Sequence, residues 1–169
     1  MEKVDPMDVV VRRGTLEDVE GLRRCLDYVA RERRWLAFLE APPLESVRAF
    51  FLQNSPIQFV ADHRAGIVGW CDITPSQRDG FRHSGTLGMG LLPAFRSRGF
   101  GKRLLQETID AAHEVGLTRI ELEVLASNEA AIALYERMGF GHEGRKQQAR
   151  LIDGRSDDLI CMALVASPM

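Results

Sequence analysis

The stretch LGMGLLPAFRSRGFGKRLLQETIDAAHEVG, residues 87 to 116, decides the fold of this chain. It begins with apolar residues typical of a buried strand, turns at Pro93, crosses a loop rich in Arg and Gly, and continues as a helix. Helices favour acidic residues in their first turn because the helix dipole is positive there. Here the charged residues between Pro93 and Glu107 are all cations: Arg96, Arg98, Lys102 and Arg103. The pattern predicts an anion-binding helix N-terminus, where Gly99 and Gly101 let a ligand approach backbone N–H groups.

The hexapeptide Arg96–Gly101, RSRGFG, resembles the R/Q-x-x-G-x-G/A signature of the GCN5-related N-acetyltransferases, in which this loop holds the pyrophosphate of acetyl-CoA. It is followed by IELEVLASNEAAIALYERMGF, residues 120 to 140, which is similar to the second motif of that family. Other phosphate loops fit less well, because the chain has no G-x-x-x-x-G-K-[ST] and no third glycine for G-x-G-x-x-G. The resemblance implies a single N-acetyltransferase domain over residues 9–165, preceded by a disordered lead-in at residues 1–8.

Composition is that of one globular domain. The chain has 169 residues, of which 45% are hydrophobic and 27% charged, and a net charge of -2 argues against a nucleic-acid partner. No apolar run approaches about 18 residues and the N-terminus lacks a signal-peptide pattern, so we expect a cytoplasmic protein with no membrane partner. The three cysteines are widely spaced and form no metal motif, so we predict small buried thiols and no metal site.

Strand and helix patterns alternate along the chain, which predicts an α/β (α+β) fold with a mixed sheet covered by helices. The resemblance adds a GNAT-like, mostly antiparallel central sheet with helices on both faces, in which a splayed central strand leaves a cleft for the thioester. The closing hairpin, turning at Asp153-Gly154, is long enough to predict a homodimer contact. The predicted strands are 9–12, 57–62, 67–74, 87–92, 118–124, 140–151 and 156–164, and the helices begin near 15, 44, 100 and 128.

The donor site is the best supported part of this interpretation. By resemblance, the backbone N–H groups of residues 98–102 bind the pyrophosphate, and the backbone of Met89 and Leu91 binds the pantetheine arm like an added strand. Gly88 and Gly90 fit a close approach of that ligand, the alternative being packing against a neighbouring helix. Asn128 is either a helix N-cap, a pantetheine contact or both. The predicted acetyl-CoA-binding residues are Met89, Leu91, Arg96, Arg98, Gly99, Phe100, Gly101, Lys102 and Asn128, although exposed Arg and Lys are also common as plain surface charges.

Two residues are candidates for proton transfer. Tyr135 falls where the family commonly keeps a tyrosine near the sulfur, and a phenol of reference pKa ~10 suits the protonation of a leaving thiolate. The alternative is a core tyrosine. Many relatives carry a catalytic Glu near the position of Thr86, which this chain lacks, so His83 is the predicted general base, with a plain loop histidine as the equal alternative. Glu121 and Glu123 lie on the polar face of a strand and are not favoured.

The acceptor site is predicted from the segment RERRWL, residues 31 to 36. Arg33 or Arg34 would hold a carboxylate in a two-point fork, and Trp35 would pack on the acceptor side chain. The alternative is an ordinary helix end with favourable basic residues. The predicted function is acetyl-CoA-dependent transfer of acetyl to a primary amine, a free amino acid or similar small molecule. A ribosomal-protein or peptide N-terminal acetyltransferase, and a non-catalytic acyl-CoA-binding regulatory module, remain the alternatives.

Overall fold

The computed structural model describes residues 8–54 and 57–167, and these form an open seven-stranded sheet with helices on both faces. The predicted disordered lead-in falls outside the described residues except for Asp8, which pairs with Arg64. Strand order across the sheet is β1-β2-β3-β4-β5-β7-β6. The strands are β1 Val9–Arg13, β2 Gln58–His63, β3 Gly66–Pro75, β4 Ser84–Leu91, β5 Arg119–Leu125, β6 Gly141–Ile152 and β7 Arg155–Val165.

The sheet consists of two antiparallel halves joined by one short parallel pairing. Strands β4 and β5 pair only at Ser84–Thr86 and Arg119–Glu121, after which β4 continues to Leu91 and β5 to Leu125 without partners in each other. Every other neighbouring pair in the sheet is antiparallel. The two unpaired ends therefore diverge and open a cleft, which confirms the predicted fold class and the splayed central strand.

Four helices cover the two faces: α1 Val19–Arg31, α2 Leu44–Asn54, α3 Phe100–Glu114 and α4 Glu129–Arg137. The first two pack with Trp70 in one apolar cluster, while α3 and residues of α4 pack on the other face with Cys71 and Ile73. Side chains alternate between the faces along a strand. Asp72 on β3 therefore shares the α1 and α2 face with Trp70, which becomes important for the site.

Two element starts differ from prediction. The chain takes one turn of 3₁₀-helix, Leu16–Asp18, before α1, and Thr15 and Asp18 form the predicted capping box, with the Thr15 N–H donating to Asp18 at 2.7 Å. Strand β4 begins three residues before its predicted start because Ser84 to Thr86 look like turn residues, yet they pair with both β3 and β5. Sheet pairing here overrides local propensity.

The closing hairpin has the predicted turn, with positive φ at Asp153 (52°) and Gly154 (72°). Strand β6 forms one edge of the sheet, and its side chains are mostly exposed. The homodimer contact through this hairpin stays a prediction. Cys25 and Cys71 are buried and Cys161 is half-buried, and all three are free thiols, as expected.

Candidate active site

The loop before α3 is shaped to bind an anion. Ser97 and Gly99 both have left-handed backbones, with φ of 58° and 86°, and Gly99 is the N-cap of α3. The amide of Arg103 is the first to bond back, to the Gly99 carbonyl at 3.2 Å. The first-turn N–H groups ahead of it have no intrahelical acceptor, so they point at whatever lies before the helix. The loop therefore fits a phosphate group without any further rearrangement.

The guanidinium of Arg96 has a different role from the predicted one. Its Nη1 and Nη2 bind the Glu32 carboxylate at 2.9 and 2.5 Å, and its Nε donates to the Leu91 carbonyl at 2.9 Å. All three guanidinium nitrogens of Arg96 therefore donate hydrogen bonds within the chain. We therefore correct the prediction for this side chain: Arg96 ties the end of β4 to the end of α1 and is not available to a phosphate.

A cleft of about 810 Å³ runs from this loop along the gap between β4 and β5. Its floor is the edge of β4, its far wall is β5 with α4, and the segment after α1 closes the near side. Among the predicted donor residues it is lined by Met89, Leu91, Arg96, Gly99, Gly101, Lys102 and Asn128. Phe100 is instead buried in the core, and Arg98 is exposed and does not line the cleft.

The β4 edge of the cleft has room for an added strand. Past Thr86 it has no β5 partner, so its peptide groups face the gap. The side chains of Met89 and Leu91 point towards the start of α3, where a Cβ on Gly101 would lie 3.6 and 3.5 Å from them. The Leu91 carbonyl is already taken by Arg96. An extended ligand arm in the gap would therefore pair with the remaining β4 peptides, as the predicted pantetheine contact requires.

Gly88 and Gly90 of β4 differ in which atoms an added side chain would meet. A Cβ on Gly90 would lie 2.4 Å from the Trp70 indole, so Gly90 is small because it packs on that ring. Gly90 also lines the cleft, so packing on Trp70 and a close ligand approach are both compatible with its small size. A Cβ on Gly88 would meet nothing closer than the two Asp72 carboxylate oxygens at 3.8 Å, and Gly88 lines the cleft.

Tyr135 lies on the cleft wall with only 7% of its surface exposed, and its ring packs on Phe140 at 5.7 Å between centroids. Burial raises the pKa of the phenol well above its ordinary value, so it stays protonated. The core and cleft interpretations of this residue therefore hold together. Asn128 is an N-cap whose side chain accepts from the Ala131 N–H at 3.3 Å, and it also lines the cleft.

The structure places His83, the predicted general base, away from the cleft. His83 is exposed, precedes the first residue of β4, and its carbonyl accepts from the amides of Thr118 and Arg119. It therefore sits at the closed end, where β4 and β5 are still paired, and it does not line the cleft. At about 3.3 Å per strand residue, it lies roughly 16 Å along the strand from Gly88.

Two carboxylates were missed or not favoured from the sequence: Glu123, which lines the cleft, and Asp72, which lies behind the cleft residue Gly88. Glu123 lines the cleft from β5 and forms an ion pair with Lys146. Asp72 lies within the apolar strand β3, 6% exposed, and burial raises the pKa of its carboxyl to about 7. The signal for Asp72 was a single carboxylate inside the otherwise apolar run IVGWCDIT, residues 67 to 74.

The acceptor segment is held by the closing hairpin. Arg33, with φ of 56°, binds the Asp153 carboxylate at 2.9 and 2.8 Å, and its carbonyl accepts from Arg150. Arg33 is therefore occupied, which corrects its prediction as a carboxylate clamp. Arg34 stacks on the Trp35 ring at 4.3 Å, and Trp35 lines the cleft. Within the described part of the chain, Nε1 of Trp35 is buried without a hydrogen-bond partner.

The cleft combines three features: the loop before α3, the open edge of β4 and the buried phenol of Tyr135. Together they suit group transfer from a long anionic thioester. The model of the Acetyltransferase (GNAT) family matches residues 26–140. The chain belongs to this family and is an N-acetyltransferase. This confirms the family resemblance and the prediction of an acyltransferase, and it makes acetyl-CoA the expected co-substrate.

Curated relatives include enzymes with different acceptors. The chain is 30% identical to the uncharacterized N-acetyltransferase YjgM of Escherichia coli K12, over 84% of this chain and 87% of that protein. It is 28% identical to the L-amino acid N-acetyltransferase AaaT of the same strain, over 94% and 98%. It is 43% identical to the [ribosomal protein bS18]-alanine N-acetyltransferase of that strain over 76 residues, 44% of this chain and about half (51%) of that enzyme.

Solved structures share the whole fold. A GNAT-family acetyltransferase from Streptococcus pneumoniae superposes with a TM-score of 0.86 at 26% identity, over 94% of this chain and 99% of that one. A phosphinothricin acetyltransferase from Sinorhizobium meliloti, solved with acetyl-CoA, gives 0.86 at 19% identity, over 95% and 89%. In residues 8–54 and 57–167, no helix is long and apolar enough to cross a membrane, and no group of three His, Cys, Asp or Glu could hold a metal ion.

Proposed function

We propose that this enzyme transfers acetyl from acetyl-CoA directly to the primary amine of a free amino acid or a similarly small amine bearing a carboxylate. The observation that carries the acceptor class is the stack of Arg34 on Trp35, the latter of which lines the cleft. An exposed guanidinium stacks on an indole, and that indole has a buried N–H with no partner. A buried donor without a partner is costly, and a ligand oxygen would satisfy it.

Each part of the cleft has a role in this proposal. The first-turn amides of α3 and the Lys102 side chain hold the pyrophosphate, and the open β4 edge holds the arm. Acetyl-CoA, once bound, supplies an activated acyl group as a thioester. Tyr135 donates its proton to the departing sulfur, which its buried and neutral phenol favours. Leu36 and Ala37 complete the apolar surface that receives the acceptor side chain.

The test compares free amino acids with their carboxamides, with thiol release from acetyl-CoA as the readout. We expect kcat/KM to fall ~10–100-fold when the carboxylate is blocked, because the fork and the indole N–H both lose their partner. Arg34→Gln should remove most of this preference, and Arg34→Lys, which keeps charge but not the fork, should restore only part of it. Equal values for acid and amide would contradict the proposal.

A second acceptor class is supported by one observation, the 43% identity to the bS18-alanine acetyltransferase. That match spans only about half of that enzyme. An N-terminal alanine peptide belongs in the same screen. A strong preference for the peptide over every free amino acid would move the assignment to protein N-termini, and binding of acetyl-CoA with no acetylated amine would favour a regulatory binding module.

A further inference from the structure

We propose that Asp72 is the general base that deprotonates the acceptor amine. The inference rests on the proposed function, since it assigns the missing base of that same reaction. Tyr135 on the cleft wall is the candidate acid, whereas His83, the predicted base, does not line the cleft, and Glu123, which does, is paired with Lys146. The remaining buried titratable group on the acceptor face of β4 and β3 is this carboxylate.

The position of Asp72 in the sheet supports this role. Asp72 is in the centre of the sheet, with Gln58 of β2 on one side and Gly88 of β4 on the other. Both of its oxygens lie 3.8 Å from the point where a Gly88 side chain would begin. Because Gly88 has none and itself lines the cleft, an amine resting against its backbone meets the carboxylate directly or through one water.

The surroundings leave this carboxylate ready to take a proton. Within the described residues, neither a hydrogen bond nor an ion pair engages it, and burial raises the pKa of the group to about 7. On its face, α1 brings Cys25, whose pKa burial raises to about 12 so that it is neutral, and α2 brings the apolar Val47 and Phe51. A base with a pKa near the working pH is well matched to an amine.

The charged groups nearest to that face are already paired. Glu123 on β5 binds Lys146, Glu121 on β5 binds Arg119, and Glu32 after α1 binds Arg96. A carboxylate in an ion pair is a weaker base, because the cation stabilises its charged form. Asp72 is the carboxylate of this cleft face that has no such cation among the described residues.

The proposed reaction moves one proton from the amine to Asp72 and one from Tyr135 to the sulfur. As the amine nitrogen forms its bond to the acetyl carbon, its proton goes to an oxygen of Asp72. The carbon–sulfur bond breaks with its electron pair on sulfur, and the sulfur takes the phenol proton of Tyr135. Solvent then carries the proton of Asp72 back to the Tyr135 oxygen, so that both groups return to their starting states and the products are an amide and a thiol.

The test is Asp72→Asn, which keeps the shape and removes the base. We expect acetyl-CoA affinity by calorimetry to be unchanged and the single-turnover rate at pH 7 to fall ~10²-fold. The deficit should narrow at higher pH, where more of the amine is already deprotonated. Gly88→Ala adds a methyl group at ordinary contact distance from both oxygens, so it should slow turnover while the protein stays folded. Asp79→Asn, a surface carboxylate paired with Arg82, is the control and should match wild type.

Three outcomes would overturn the inference: wild-type turnover in Asp72→Asn, a loss in Glu123→Gln that exceeds it, or a deficit that is constant with pH. An NMR titration of the ¹³C-labelled Asp72 carboxyl in the wild-type enzyme needs no acceptor. Titration near pH 4 would also overturn the inference, and titration near neutrality would support it. If wild type acetylates no amine at all, the proposed function fails, and the carboxyl titration still decides whether Asp72 is poised as a base.

Discussion

The burial of Tyr135 suits the role of proton donor that we propose for it. Its phenol is neutral because it is buried, and a neutral phenol on the cleft wall can protonate a thiolate. We predict that Tyr135→Phe lowers kcat by ~10²-fold with little change in KM for acetyl-CoA, since only a proton donor is lost. Single-turnover measurements check this without interference from product release. Unaltered turnover would return Tyr135 to the core alone.

Gly90 and Gly88 are two residues apart, yet substitution should affect them differently. Alanine at Gly90 would place its methyl group 2.4 Å from the Trp70 ring, so the indole or the strand must shift. We predict that Gly90→Ala destabilises the fold by roughly 1–3 kcal/mol, as overpacking does. Gly88→Ala makes only 3.8 Å contacts and should be close to neutral for stability. Urea unfolding of both variants measures the difference, and equal losses would contradict the assignment of Gly90 to packing.

The ion pair between Glu32 and Arg96 connects the loop before α3 to the predicted acceptor segment, residues 31–36. Glu32 follows α1, directly before Arg33 to Trp35, and Arg96 directly precedes the anion loop. The two side chains are 22% and 31% exposed, so loss of one leaves the other partly desolvated. We predict that Glu32→Gln lowers the free energy of unfolding by roughly 1–3 kcal/mol and weakens acetyl-CoA binding.

Calorimetry with acetyl-CoA and urea unfolding check both effects of Glu32→Gln. The matched control is Asp153→Asn, which breaks the Arg33 pair on the other side of the same segment. That pair is 46% and 63% exposed and screened by solvent, so its loss should destabilise the fold less than the loss of the Glu32–Arg96 pair and leave donor affinity unchanged. If both variants weaken acetyl-CoA equally, the coupling does not run through Arg96.

The elements themselves were largely predictable from sequence, because their apolar periods and turn residues are local signals. The left-handed turn before α3 was predictable for the same reason, as its glycines lie in one hexapeptide. The partners of Arg33 and Arg96 were not, since Asp153 lies 120 residues from one and Glu32 lies 64 from the other. Asp72 was missed because only the pairing of β3 with β4 brings it to Gly88 and the cleft.

For the molecule as a whole, Asp72 makes stability depend on pH. Its folded pKa of about 7 lies above the unfolded value, so the folded state holds the proton more tightly. The stabilisation is complete below about pH 4 and is lost as pH rises to 7. We predict that Asp72→Asn, which mimics the protonated form, is more stable than wild type at pH 8, by at most roughly 4 kcal/mol, and gains less at pH 5.

Urea unfolding of the two proteins at pH 5 and pH 8 measures this gain directly. If Asp72→Asn is both more stable and less active at pH 8, the buried charge of Asp72 lowers the stability of the fold but is needed for activity. A gain that is the same at both pH values would mean that the wild-type carboxyl titrates alike in the folded and unfolded chain.

The three-residue join between β4 and β5 also makes the chain divisible into two pieces. Everything up to Gly116 belongs to the half with β1 to β4 and α1 to α3, and everything after it belongs to the half with β5, α4, β6 and β7. Gly116 lies in an exposed turn, where a chain break is best tolerated. Co-expressed as separate polypeptides, the halves would meet across a cleft that residues of both halves line. If acetyl-CoA binds there as proposed, we expect reassembly to depend on acetyl-CoA concentration in the manner of a split reporter.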